Sequence, residues 1–149
     1  MLRPLLLFLH LAGVIVWVGG MAFAYFCLRP AAMRVLQPPQ RLPLWVAAFH
    51  PFFRLVAASI ALIFVSGLAM LYQTGFAAAP VGWYLMLALG VAMAGVFGYV
   101  DRMLYPRLRR HCEASDWPAA AAALNGIRRL VAVNLVLAAC AVAAVVSSR

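Results

Sequence analysis

The sequence His10-Leu-Ala-Gly-Val-Ile-Val-Trp-Val-Gly-Gly20 occupies the middle of an apolar run that extends from Pro4 to Leu28. As an α-helix, a run of this length rises about 37 Å, which crosses a hydrocarbon core about 30 Å thick with some tilt. His10 is the one side chain of the run that titrates near neutral pH. A histidine in a bilayer is unfavourable unless it faces protein, water, a metal or a cofactor. The run therefore predicts a membrane helix that carries one functional candidate.

The composition indicates a membrane protein with a single domain, residues 1–149. Of the 149 residues, 68% are hydrophobic and only 10% are charged, whereas a soluble domain has about 25% charged residues. All 12 basic residues are arginine, and with 3 acidic residues they give a net charge of +9. In a soluble protein this charge would suggest nucleic acid. In this apolar chain the positive charge indicates loops that stay in the cytoplasm. We therefore expect the protein to interact with the lipid bilayer and not with nucleic acid.

The apolar segments predict an all-α bundle of four membrane helices, at about 4–28, 54–73, 83–101 and 127–146. The segment Leu42 to Phe53 is apolar and aromatic but too short to span a bilayer, and prolines surround it. It is therefore interpreted as an interfacial helix before the second membrane helix. Ser115-Asp116-Trp117-Pro118 is typical of a helix start. The region between the third and fourth membrane helices is thus predicted to be a cytoplasmic helical extension.

The distribution of arginine predicts the topology. Nearly all of the arginines lie in the two long loops, between the first and second helices and between the third and fourth. The positive-inside bias places both loops in the cytoplasm and both termini in the periplasm of a bacterial inner membrane. His10 then lies about 10 Å below the outer surface.

One face of the first helix carries His10, Gly13, Trp17 and Gly20, because these residues recur at intervals of three or four. Helix packing explains the glycines and most of the role of Trp17, since small residues let helices approach closely. Packing does not explain His10. With an unperturbed pKa near 6.5, its imidazole suits a metal ligand or a proton relay.

Depth in the bilayer suggests a metal site. Met70, Met86 and Cys140 are each predicted within about 10 Å of the outer interface, like His10, and each belongs to a different helix. Imidazole, thioether and thiolate are ligands that favour Cu(I). The sequence therefore offers His10, Met70, Met86 and Cys140 as a copper site.

Two other interpretations stay open. His10, with Met70 or Met86, suits the axial ligation of b-type haem. A haem site with two histidine ligands is disfavoured, because His50 is predicted at the opposite interface, about 25 Å away. Alternatively, the protein is a non-catalytic membrane subunit whose glycine faces pack against a partner or against a second copy. Supporting roles are expected for Asn134, in an interhelical hydrogen bond, and for Arg128 and Arg129, at the cytoplasmic headgroups.

Known catalytic motifs do not decide between these alternatives. The sequence has no Walker loop, no GxSxG and no HExxH. Its acidic residues, Asp101, Glu113 and Asp116, all lie in the second charged loop. This excludes acid–base chemistry by carboxylates inside the bilayer and leaves open whether the protein is an enzyme.

Two stretches resemble a known family, and with the pattern between them the resemblance covers nearly the whole chain. The first is His10-x-x-Gly13-x-x-x-Trp17-x-Gly19-Gly20, followed by Leu28-Arg29-Pro30. It resembles the first helix of the copper-resistance protein D (CopD) family. The second runs from Ala114-Ser-Asp-Trp-Pro-Ala-Ala to Gly126-Ile-Arg-Arg-Leu-Val-Ala-Val-Asn134-Leu. It is similar to the end of the short, four-helix members.

The resemblance implies copper uptake or resistance across the inner membrane. The related HemJ-type proteins also carry a histidine in the first helix, and that more distant resemblance implies haem and the oxidation of protoporphyrinogen. The residues that the CopD resemblance carries over are His10, Gly13, Trp17, Gly20, Arg128, Arg129 and Asn134.

Overall fold

The computed structural model of the protein describes residues 2–148, which form four long helices joined by short connections. Each helix is long and apolar enough to cross a membrane. The predicted all-α, four-helix membrane fold is therefore confirmed. The four helices are α1 (Leu2–Val35), α2 (Pro38–Thr74), α3 (Val81–Glu113) and α4 (Trp117–Ser147).

Glycines set the close contact between α1 and α2, which pack antiparallel. A Cβ added at Gly13 would lie 2.8 Å from Ile63 Cγ1 and 3.1 Å from the carbonyl oxygen of Ser59. Two turns further along α1, a Cβ at Gly20 would overlap the ring of Phe52. The absent side chains thus let the backbone of α1 lie directly against α2.

Helices α3 and α4 form the second antiparallel pair. At one end Gly82 lies against the backbone of Ala144, and a Cβ there would overlap the Ala144 carbonyl oxygen. Near the middle, Asn134 Nδ2 donates a hydrogen bond to the carbonyl oxygen of Met93 at 3.2 Å. Gly126 lies beside Leu104 towards the other end. These contacts run the full length of the pair.

Helix α2 corrects the prediction of a separate interfacial helix over Leu42 to Phe53. The segment belongs to one continuous helix, with Pro43 and Pro51 inside it. The aromatic side chains of the segment are not at a surface: Trp45, Phe49 and Phe53 are buried. They recur every four residues and therefore form one stripe, in which the Phe49 and Phe53 rings stack with centroids 5.0 Å apart. Burial of this stripe stabilises the helical conformation of the segment that contains both prolines.

The other ends of α3 and α4 confirm the predicted helical extension. Helix α3 continues through 33 residues, about 50 Å, to Glu113. Helix α4 begins at Trp117, where the Asp116 side chain caps it by accepting a hydrogen bond from the backbone N–H of Ala119. The sequence boundaries near 101 and 127 mark where the apolar composition changes, and both helices extend beyond them.

Three π-helical turns interrupt the long helices, at Ile15–Gly19 and Ala24–Leu28 in α1 and at Val100–Leu104 in α3. A π turn accommodates one more residue than an α turn without ending the helix. Each turn therefore shifts which side of the helix the following residues occupy, by about 100°. In α1 the buried positions near the first π turn are Trp17 and Met21, while Gly20 is only half-buried.

The buried apolar residues form two clusters. One lies at the arginine-rich end of the bundle and contains the aromatic stripe of α2 together with residues such as Leu108 and Ile127. The other lies near the middle and contains Trp17, Met21 and Met93. Towards the end that carries the termini, the space between the helices is a cavity, and His10 lies in its wall.

Candidate functional site

A cavity of about 620 Å³ lies between all four helices at the end that carries the termini, and it is named here the outer cavity. Its lining is almost entirely apolar. The side chains that stand out are the imidazole of one histidine, the indoles of two tryptophans and the thioethers of two methionines. They are His10, Trp17, Trp83, Met86 and Met93.

His10 is held by two oxygen atoms of α2. Its Nδ1 lies 3.0 Å from the carbonyl oxygen of Ile63 and 3.2 Å from Ser66 Oγ. A carbonyl oxygen only accepts hydrogen bonds, so Nδ1 carries the hydrogen. The Ser66 hydroxyl donates to the carbonyl oxygen of Leu62 at 2.6 Å and therefore also accepts from Nδ1.

This arrangement fixes the tautomer of a neutral imidazole. With the hydrogen on Nδ1, the lone pair lies on Nε2, which has no hydrogen-bond partner among residues 2–148. Histidines that bind metals usually donate from the other ring nitrogen to a carbonyl or carboxylate in this way. His10 is only 9% exposed, so the ring is also held by its surroundings.

Gly67 lets the imidazole approach the backbone of α2. A Cβ at Gly67 would lie 3.1 Å from Cε1 and 3.3 Å from Nδ1 of His10, closer than nearly all real contacts of this kind. One turn along α1, Gly13 permits the helices to meet. The hydrogen bonds of His10 therefore depend on two glycines, one on each helix.

The structure divides the four predicted metal ligands. His10 and Met86 line the outer cavity, but Met70 and Cys140 do not. Cys140 lies two residues after the buried Ala138 and is exposed on the outside of the bundle. Two residues correspond to about 200° around a helix, so these side chains point in nearly opposite directions. Equal depth in the bilayer therefore did not place the four side chains together.

Met93 carries a further thioether in the wall of the outer cavity, and the sequence analysis did not include it among the predicted ligands. Met93 is 4% exposed and stands two helical turns after Met86. The sequence contained a signal for it, because Met86, Gly90 and Met93 share one face of α3. In the described chain, no group of three or more histidine, cysteine or acidic side chains is placed to hold a metal ion. A metal in the outer cavity would thus depend on His10 and the two thioethers.

The other two histidines lie elsewhere. His50 is exposed on α2, between Phe49 and Pro51, at the arginine-rich half of the bundle. His111 lies near the end of α3, where its Nδ1 is 3.6 Å from an oxygen of Asp116. Neither residue lines the outer cavity.

A small cavity of about 30 Å³ continues the interior beyond Trp17, which borders both spaces. Asn134 lies in its wall, and its Oδ1 is buried without a hydrogen-bond partner in the described chain. Ala24, Phe49 and Val131 border this small cavity and also a third one at the arginine-rich end. The three cavities therefore lie in series along the bundle.

Only one of the two neighbouring arginines of α4 lines the third cavity. Arg128 is half-buried in its wall, whereas Arg129 is exposed and does not line it. The two side chains therefore have different surroundings, although the sequence suggested the same headgroup role for both.

Comparison with known proteins identifies a family. The model of a family described as copper resistance protein D matches residues 46–148, about two thirds of the chain. The match covers most of α2 and all of α3 and α4, while His10 lies outside it. No curated protein and no solved structure matches the chain.

Proposed function

The chain belongs to the copper resistance protein D family, and on that premise we propose that this multi-pass membrane protein takes Cu(I) as its substrate in the outer cavity. His10 binds the ion through Nε2. The observation that supports this most directly is the hydrogen bond from Nδ1 to the Ile63 carbonyl oxygen, because it leaves the Nε2 lone pair available.

The donor set suits Cu(I) better than a harder ion. Imidazole and thioether are soft or borderline ligands, whereas Mg²⁺ and Ca²⁺ prefer oxygen ligands. The outer cavity offers the His10 imidazole with the Met86 and Met93 thioethers and, among residues 2–148, no carboxylate. A monovalent ion also costs less to place among apolar walls than a divalent one.

The proposed orientation follows from the arginines. Their concentration at one end of the bundle favours that end in the cytoplasm of a bacterial inner membrane. Both termini and the outer cavity then lie on the periplasmic side, and Cu(I) reaches His10 from the periplasm.

The test uses the purified protein in a neutral detergent, measured by Cu(I) titration against a chromophoric competitor, by metal analysis and by its absorption spectrum. We expect one Cu(I) per chain and no Soret band. A Soret band from bound haem would overturn the proposal in favour of the haem alternative, with His10 and a methionine as axial ligands. If the protein binds neither copper nor haem and purifies in a stable complex with another membrane protein, the result would support the subunit alternative instead.

Ser66→Ala is expected to weaken Cu(I) binding by about tenfold without abolishing it, because it removes one of two acceptors that orient the imidazole. Ser59→Ala is the matched control, since Ser59 is a buried serine two turns away on the same helix and makes no hydrogen bond to His10. The measurement is the competitive titration. Equal affinities for the two variants would show that Ser66 does not position His10.

A further inference from the structure

The cavity at the arginine-rich end, named here the inner cavity, has a volume of about 200 Å³ and brings together three arginines from three helices. They are Arg29 of α1, Arg41 of α2 and Arg128 of α4. All three are half-buried, which distinguishes them from Arg102, whose side chain is 85% exposed.

None of the three has an acidic partner among the residues that the structure describes. The ion pairs between Leu2 and Ser148 are Arg102–Asp101, Arg109–Glu113 and His111–Asp116. These pairs involve all of the acidic residues in the protein. The three positive charges around the inner cavity are thus uncompensated within the described chain, and they repel one another more strongly because they are partly withdrawn from water. An anion between them would remove this repulsion.

The walls of the inner cavity indicate what kind of anion fits. Besides the arginines they carry Tyr25, Trp45 and Phe49, and the neighbouring surface of the bundle is apolar. One guanidinium group binds two oxygens of a phosphate at the same time, through charge-assisted hydrogen bonds. An amphiphile that joins a phosphate to hydrocarbon chains satisfies both parts of the lining. Basic pockets between membrane helices at the cytoplasmic side bind anionic lipid headgroups elsewhere.

We propose that the inner cavity is a binding site for the phosphate headgroup of an anionic phospholipid, held by Arg29, Arg41 and Arg128. The acyl chains lie against the apolar flank of the bundle. This site is separate from the outer cavity, and the proposal does not depend on copper binding there.

The test is native mass spectrometry of the full chain, delipidated in neutral detergent and titrated with phosphatidylglycerol, with phosphatidylcholine as the lipid control. We expect phosphatidylglycerol to bind at least tenfold more tightly than phosphatidylcholine. Arg128→Ala should weaken phosphatidylglycerol binding about tenfold, the loss expected for one charge-assisted contact. Arg129→Ala removes the same charge from the next, exposed position and should leave the affinity unchanged.

Three further results bear on the proposal. Arg29→Ala should weaken binding as Arg128→Ala does, which keeps the test valid if one of the variants fails to fold. Equal losses in Arg128→Ala and Arg129→Ala would overturn the proposal, because only net charge would then matter. Inorganic phosphate that displaces phosphatidylglycerol at millimolar concentration would also overturn it, since the ligand would then be a soluble phosphate.

Discussion

His10→Ala is expected to abolish stoichiometric Cu(I) binding, with a loss of affinity above about 100-fold. The reason is that it removes the only imidazole that lines the outer cavity among residues 2–148, and this imidazole is the proposed nitrogen ligand. A partner that only orients a metal ligand contributes about 10–100-fold to affinity, and the ligand itself should contribute more. The measurement is a competitive Cu(I) titration of the purified variant.

The control for this prediction is His50→Ala. It removes the same functional group from an exposed position at the other half of α2, so it should bind Cu(I) as the unmodified protein does. Circular dichroism and the elution volume in detergent establish that both variants are folded. If His10→Ala retains wild-type affinity while folded, the proposed role of His10 is wrong and copper binds elsewhere.

Gly13→Leu should lower the free energy of unfolding by about 1–3 kcal/mol, the usual cost of overfilling a packed interior. A Cβ at Gly13 would already lie 2.8 Å from Ile63 Cγ1 and 3.1 Å from the Ser59 carbonyl oxygen. The Ile63 side chain has some freedom to move, but the backbone of α2 does not, so helices α1 and α2 must separate. We expect an apparent melting temperature several degrees lower in detergent.

Gly19→Leu is the matched substitution for this experiment. It lies on the same helix, yet a Cβ there would have no neighbour within 4 Å. Leucine also favours a helix more than glycine does, so stability should stay the same or rise. Separation of α1 from α2 should weaken Cu(I) binding in Gly13→Leu as well, because His10 lies one turn away. Similar stability of the two variants would show that the close approach of the helices is not important.

The sequence was sufficient for the number and kind of helices because each apolar run is long enough to span a bilayer. It was not sufficient for Leu42 to Phe53. There, Pro43 and Pro51 and the short apolar length argue for a break. The segment is instead stabilised by tertiary contacts, including the hydrogen bond from Tyr105 to the Val46 carbonyl oxygen at 3.2 Å. Such contacts join distant parts of the chain, and no local pattern reports them.

For the candidate site, too, the sequence predicted some features and not others. The sequence singled out His10, because an ionisable group in an apolar run is costly. It did not identify Ile63 and Ser66 as its partners, because that pairing depends on how α1 sits on α2. It grouped Cys140 with His10 by residue count, but Cys140 is exposed and does not line the outer cavity, because the direction of a side chain follows from packing. The π turns of α1 and α3 add shifts of direction that residue spacing does not reveal.

Trp17 is a wall of both the outer cavity and the small cavity beside Asn134. A rotation of the indole that enlarged one of these spaces would reduce the other. We therefore expect a ligand that displaces Trp17 beside His10 to bind with a different affinity when the space beside Asn134 is filled. This dependence is reciprocal by thermodynamic necessity. In this way a residue that touches no ligand in the outer cavity would affect the affinity for one.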